Sequence, residues 1–147
     1  MNDVKVLFVC VHNAARSQMA EAFLNHLGEG IFFAESAGLE KGVLNPLAVK
    51  VMDEIGYDIS LNEVNSVFEF YKEHRLYNYV VTVCDESNGQ KCPIFPGVRE
   101  VLHWNFLDPA SFEGSEEDKL SQTRIVRDQI KNGVLKLIDE LKIKYNR

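Results

Sequence analysis

Cysteine is scarce in this chain, with three residues in 147, an odd number. That count does not favour a framework of structural disulfides, and a reducing compartment favours redox or catalytic use over stapling. Basic charge is also in short supply. Lys and Arg number 16 against 22 Asp and Glu, for a net charge of −6, and the cations are scattered among acids. A nucleic-acid partner is therefore not expected, and any anion site must be local. No apolar run approaches about 18 residues, and no charged-then-apolar leader precedes the first one, so neither a membrane span nor a secretory signal is read. The chain is expected to be soluble and cytoplasmic. Repeats, low-complexity tracts and an interdomain linker are missing too. With 46% hydrophobic residues, the length suffices for one core and is too short for two ordinary ones, so residues 1–147 read as a single domain.

What is present is an alternation of β and α patterns. Apolar, β-rich runs at 4–9, 31–36, 79–83 and 98–104 alternate with helical periodicity at 16–27, 46–55, 67–75 and 116–142. The last helix carries an apolar stripe at Leu120, Val126, Ile130, Val134, Leu137 and Leu141 after the start signal Ser115-Glu116-Glu117-Asp118. Such alternation predicts an α/β class, a three-layer α/β/α sandwich around a four-stranded parallel sheet. The doubly wound order 2-1-3-4 puts the first and third strands side by side, with ligands beyond their carboxyl ends.

At the end of the first run stands Cys10-Val11-His12-Asn13-Ala14-Ala15-Arg16-Ser17. A tight connection leading into a helix aims backbone N–H groups at one spot, and the helix dipole makes that spot favourable for an anion. Residues 11–17 are thus the candidate oxyanion cradle. Cations and helix N-termini favour the thiolate over the thiol, which makes Cys10 the candidate nucleophile. Arg16 offers a planar fork for two oxygens of a tetrahedral anion, where a lysine would be a point charge. Ser17 is placed to donate to the sulfur. His12 contributes mainly its backbone, and His26, His74 and His103 read as surface or packing residues, as do Trp104 and Phe106 as packing aromatics.

The other two cysteines, Cys84 and Cys92, bracket a polar segment with Asn88-Gly89 turn chemistry. Neighbouring strands lie about 4.8 Å apart and a disulfide needs Cα atoms within roughly 4.4–6.8 Å, so Cys10 and Cys84 at adjacent strand ends come within bonding range. Three accounts of Cys84 and Cys92 stay open at this point: a redox pair, two unrelated thiols, or two ligands of a zinc site, for which the spacing is wide. Asp108-Pro109 follows the fourth strand on the same edge. Asp108 is a candidate general acid, with a plain turn start as the alternative reading.

Cys-x5-Arg-Ser near the amino terminus resembles the phosphate-binding loop of low-molecular-weight protein tyrosine phosphatases. The longer string from Cys10 to Glu21, with Ser36-Ala37-Gly38, Asn45-Pro46, Cys84, Cys92-Pro93, His103-Trp104 and Asp108-Pro109, resembles the arsenate reductases built on that fold. The resemblance implies a relay: Cys10 attacks arsenate, Cys84 displaces arsenite by attacking Cys10, and Cys92 attacks Cys84 to leave a disulfide for a thioredoxin-type protein. The segment between Cys84 and Cys92 is one residue longer than in the best-known pattern. The resemblance also places the acid in the Asp108-Pro109 dipeptide. It implies no tightly bound cofactor, and a potassium ion held beside the loop by Asn13, Glu21, Ser36 and a fourth position that is Asn65 here, where relatives use a carboxylate. Phosphate and sulfate are the expected competing oxyanions, and a glutaredoxin or a small thiol is the alternative reductant.

Three function classes follow from these residues. Arsenate reduction uses all three thiols. Phosphotyrosine hydrolysis through a phosphocysteine would use Cys10, Arg16 and Asp108 and leave Cys84 and Cys92 idle. A non-catalytic oxyanion sensor would bind without turnover.

Overall fold

The computed structural model describes residues 4–85 and 100–144. Its strands are β1 (Val4–Cys10), β2 (Phe32–Gly38), β3 (Tyr79–Cys84) and β4 (Glu100–Asn105); its helices are α1 (Arg16–Leu27), α2 (Pro46–Asp53), α3 (Val67–Lys72) and α4 (Glu116–Lys144). All four strands are parallel in the order β2-β1-β3-β4. The expected switch point is therefore present between β1 and β3, and both central strands end in cysteine.

β1 and β3 are buried along nearly their whole length, as parallel strands covered on two faces must be. Strand alternation sends Val6, Phe8 and Cys10 of β1 and Tyr79, Val81 and Val83 of β3 to one face, where α1, α2 and α4 supply Met19, Phe23, Met52, Ile130 and Val134. Leu7, Val9 and Val80 face the other way, onto Val67 and Phe70 of α3. Each fully buried side chain of this size contributes roughly 1.5–3 kcal/mol relative to exposure, so the larger cluster dominates stability and fixes the β1 end against α1.

Element ends differ from expectation by a few residues, for identifiable reasons. β2 runs on to Gly38 because Gly38 pairs with Cys10 and its N–H donates to the Asn65 carbonyl at 2.9 Å. α3 stops at Lys72, short of the expected 75, because His74 adopts φ 57°, a left-handed conformation that ends a helix. The expected start of the fourth strand at 98 lies outside the described residues.

Candidate active site

The loop from Cys10 to Ala15 has every carbonyl engaged on its outer side. Leu39, Glu40, Gly42 and Asn45 donate their backbone N–H groups to Cys10, Val11, His12 and Ala14, at 3.1, 2.8, 3.1 and 2.9 Å. Gln18 Nε2 donates to the Asn13 carbonyl at 3.2 Å, and Met19 N–H to that of Ala15 at 2.9 Å. In a trans peptide the N–H points opposite to the C=O, so the amides of residues 11–16 face the inner side, where Cys10 Sγ sits. Asn13 N–H is seen doing so, 3.1 Å from the sulfur. This is the backbone geometry of an anion nest.

Local sequence explains the shape. Asn13 takes φ 55°, a region that asparagine tolerates better than most residues. A Cβ on Gly38 would stand 2.7 Å from Asn13 N and 2.8 Å from His12 C, so only glycine lets β2 pass this close. Asn45 caps α2 by accepting from Leu47 N–H at 2.8 Å, which fixes the backbone that holds Ala14. α1 begins with neither a side-chain cap nor an acidic residue in its first turn, so its dipole faces the nest unopposed by local acids.

Asn13 Nδ2 donates to Ser17 Oγ at 2.7 Å, and Ser17 Oγ shares a hydrogen bond with Cys10 Sγ at 2.9 Å. With the Asn13 N–H, two polar groups thus meet one sulfur. Gln18 Nε2 also donates to Asn13 Oδ1 at 3.1 Å and to the Glu63 carbonyl at 3.0 Å, while its Oε1 accepts from Asn62. Gln18 was not singled out in the sequence because half of its contacts, those with Asn62 and Glu63, come from a segment 44 and 45 residues away.

Arg16 is 3% exposed, and its Nη2 lies 3.2 Å from Asp108 Oδ2, while Nη1 donates to the Phe106 carbonyl at 3.3 Å. The sequence-predicted cation and acid are therefore in contact across 92 residues of chain. At the rim, His12 Nε2 is 3.4 Å from Glu40, both well exposed, and His12 adds its backbone to the loop as expected. His26 packs edge-on against Tyr57, and Trp104 against Phe8 and Phe106, as packing residues should. His103 Nδ1 meets Thr82 Oγ.

The four residues expected around a cation also come together. Ser36 Oγ donates to Glu21 at 2.9 Å, Asn65 Nδ2 donates to the Ser36 carbonyl at 3.1 Å, and Asn65 N–H donates to Asn13 Oδ1 at 2.9 Å. Burial pushes the Glu21 carboxyl up to about 7, opposed in part by the Ser36 hydroxyl and reinforced by nearby Glu35. Among the described residues no cluster of three or more His, Cys, Asp or Glu is arranged for a metal, so a zinc site gains no support there.

Cys84 ends β3 next to β1, as expected, yet strand alternation places it on the face opposite to Cys10. Cys10 is a free thiol and Cys84 is disulfide-bonded, so these two are not joined to each other. The spacing of neighbouring strands does not by itself say which way each sulfur leaves the pleat. Cys92 and residues 86–91 lie outside the described residues.

The family model for low-molecular-weight phosphotyrosine protein phosphatase matches residues 5–147. An arsenate reductase of Halalkalibacterium halodurans is 40% identical over 131 residues, covering 88% of this chain and 91% of that protein. A solved arsenate reductase in its phosphate-binding state aligns with a TM-score of 0.77 at 33% identity, over 93% of this chain and 98% of the other. A thioredoxin-dependent arsenate reductase of Corynebacterium glutamicum aligns with a TM-score of 0.70 at 26% identity, over 97% of this chain and 63% of that longer one.

Proposed function

The chain belongs to the low-molecular-weight phosphotyrosine protein phosphatase family, and from that premise we propose that it reduces arsenate to arsenite, drawing electrons from its own thiols and then from a thioredoxin-type dithiol. The observation that carries the reading is the fully anchored loop, whose six carbonyls are all hydrogen-bonded and whose Asn13 amide donates to Cys10 Sγ. The related reductases set the choice of oxyanion over a phosphotyrosine.

In this reading the Cys10 thiolate attacks arsenic(V) while the nest amides and the Arg16 fork hold the oxygens. Incoming arsenate takes Arg16 away from Asp108, which then delivers a proton to the departing oxygen so that it leaves as water. Cys84 next attacks Cys10 Sγ. The S–S bond forms, the As–S electron pair stays on arsenic, and arsenite, now arsenic(III), departs. Cys92 attacks Cys84, frees the Cys10 thiolate and leaves a Cys84–Cys92 disulfide for the external dithiol. Since alternation puts Cys84 on the far face from Cys10, the second step requires the end of β3 to rearrange. The reducing cytoplasm is where this chemistry runs, with phosphate and sulfate as competing anions. A glutaredoxin or small thiol is the alternative electron source.

The cation belongs to the same proposal. Oxygen donors from Asn13, Ser36 and Asn65 around one desolvated carboxylate suit a hard monovalent ion, and potassium there would be held weakly, with Glu21 as the one anion. Its contribution would be to keep the Asn13 side of the loop in place; no chemical step passes through it.

The relay is tested by peptide mapping after arsenate treatment without reductant. Wild type should end with Cys84 joined to Cys92 and Cys10 free, and Cys92→Ser should release one arsenite and stall as a Cys10–Cys84 disulfide. Unimpaired turnover of Cys92→Ser with thioredoxin would refute the three-thiol relay, and phosphate ester hydrolysis without arsenate reduction would refute the reductase reading.

A further inference from the structure

We propose that Asp85 is a positioning residue for the acid: it fixes the Asp108 loop over the nest and ties that loop to the strand that ends in Cys84. This rests on the assignment of Asp108 as general acid.

Asp85 is fully buried, and its Oδ2 accepts the backbone N–H of Asp108 at 2.7 Å. One residue earlier, the Cys84 carbonyl accepts the N–H of Phe106 at 2.9 Å. Two consecutive residues at the end of β3 thereby hold the alternate residues 106 and 108, and both of these touch Arg16, through the Phe106 carbonyl and the Asp108 carboxylate. Beyond this point the loop closes on itself, with Ala110 N–H donating to Asp108 Oδ1 and Ser111 Oγ to the Asp108 carbonyl.

Packing alone does not fix the loop. An open groove of about 280 Å³ lies beside it, lined by Asp85, Phe106, Leu107, Phe112, Ile125 and Val126. A loop beside such a space can shift once its tie is cut, and a shift near 1 Å can cost roughly 10²-fold in rate. A buried carboxylate is costly unless it is hydrogen-bonded, and an apolar residue would fill the same position without that cost. Its use as an acceptor aimed at the acid's own amide accounts for its presence.

The test is a double-mutant cycle on kcat/KM for arsenate, with thioredoxin and its reductase in excess. Asp85→Ala should lower the rate roughly 10-fold to 10²-fold, as Asp108→Asn does. Asp85→Asn, whose Oδ1 can still accept from Asp108 N–H, should recover most of the rate. Asp85→Ala/Asp108→Asn should be no slower than Asp108→Asn alone. Asp85→Leu, which keeps the branching at Cγ in a larger side chain and lacks an acceptor, replaces the alanine variant if that one does not fold. Additive losses, or an Asp85→Asn variant as slow as Asp85→Ala, would overturn the proposal while leaving the acid assignment standing. An Asp108→Asn variant with the wild-type rate would instead remove the acid assignment on which the proposal rests.

Discussion

The two central strands end alike and are built for opposite tasks. β1 delivers Cys10 into a loop whose carbonyls are all anchored and whose amides converge, with Gly38 and Asn13 supplying the close approach and the left-handed turn. β3 delivers Cys84 to the other face of the sheet, disulfide-bonded, followed at once by the residue that holds the acid loop. An oxyanion must be met by donors that do not have to move when charge develops. A resolving thiol has to travel. In the proposed relay, rigidity is needed at the first of these strand ends and movement at the second.

The largest effect should come from loosening the rigid side at its cation. Arg16→Lys keeps the charge but loses the planar fork and the bond to Phe106, so arsenate turnover should fall by about 10² or more, with a raised KM as well as a lowered kcat. Steady-state kinetics with arsenate reads both. Unchanged constants would mean that Arg16 merely braces the 106–108 loop.

A smaller effect on chemistry and a larger one on folding should follow from Gly38→Ala. The new Cβ would meet Asn13 N at 2.7 Å and the Glu40 carbonyl at 2.9 Å, backbone atoms that cannot rotate away. Overpacking of this kind costs roughly 1–3 kcal/mol, seen as a lowered denaturation midpoint, and the displaced loop should lose arsenate affinity with it. The equivalent change at the solvent-facing Gly56, where no atom lies within 4 Å, tests backbone strain alone, because its φ is 89°.

Much of this was legible in the sequence because it is local or periodic. The sheet order follows from alternating patterns and the switch-point rule, and the nest follows from eight consecutive residues that join a strand to a helix. The placement of Asp108 on the same edge as Cys10 was readable from the strand pattern and the resemblance, whereas its contact with Arg16 came only from the folded structure. The opposite facing of Cys10 and Cys84 was not, because it depends on a register between strands about 70 residues apart, and one residue of offset reverses a side chain's face. Asp85 and Gln18 were missed for a related reason. Each looks like an ordinary polar residue until a distant segment is folded against it, and only Gly38, a glycine at a strand end, carried a usable signal of close approach.

The subtlest difference between the two sides is electrostatic, and Glu21 exposes it. Its carboxyl is raised from 4.5 to about 7 by burial, so the folded state holds the proton more tightly than the unfolded chain. Below pH 4.5 both states are protonated and the residue costs nothing. Between 4.5 and 7 the unfolded chain ionises first, and the cost grows until it levels off above pH 7. Each tenfold difference in proton affinity is worth about 1.36 kcal/mol, which puts that plateau at roughly 3 kcal/mol. Glu54, Asp58 and Glu116 have carboxyls held below their ordinary values and slope the other way, so the informative quantity is wild type against Glu21→Gln. Denaturant midpoints should show the Gln variant gaining on wild type from pH 4 to pH 8. Potassium should restore part of the wild-type loss at pH 8, by about 0.4 kcal/mol at a concentration equal to its Kd, and do nothing at pH 4 or in the variant. A potassium effect that persisted in Glu21→Gln would move the ion elsewhere, and parallel pH curves would mean that Glu21 is ionised in the folded protein without a cation's help.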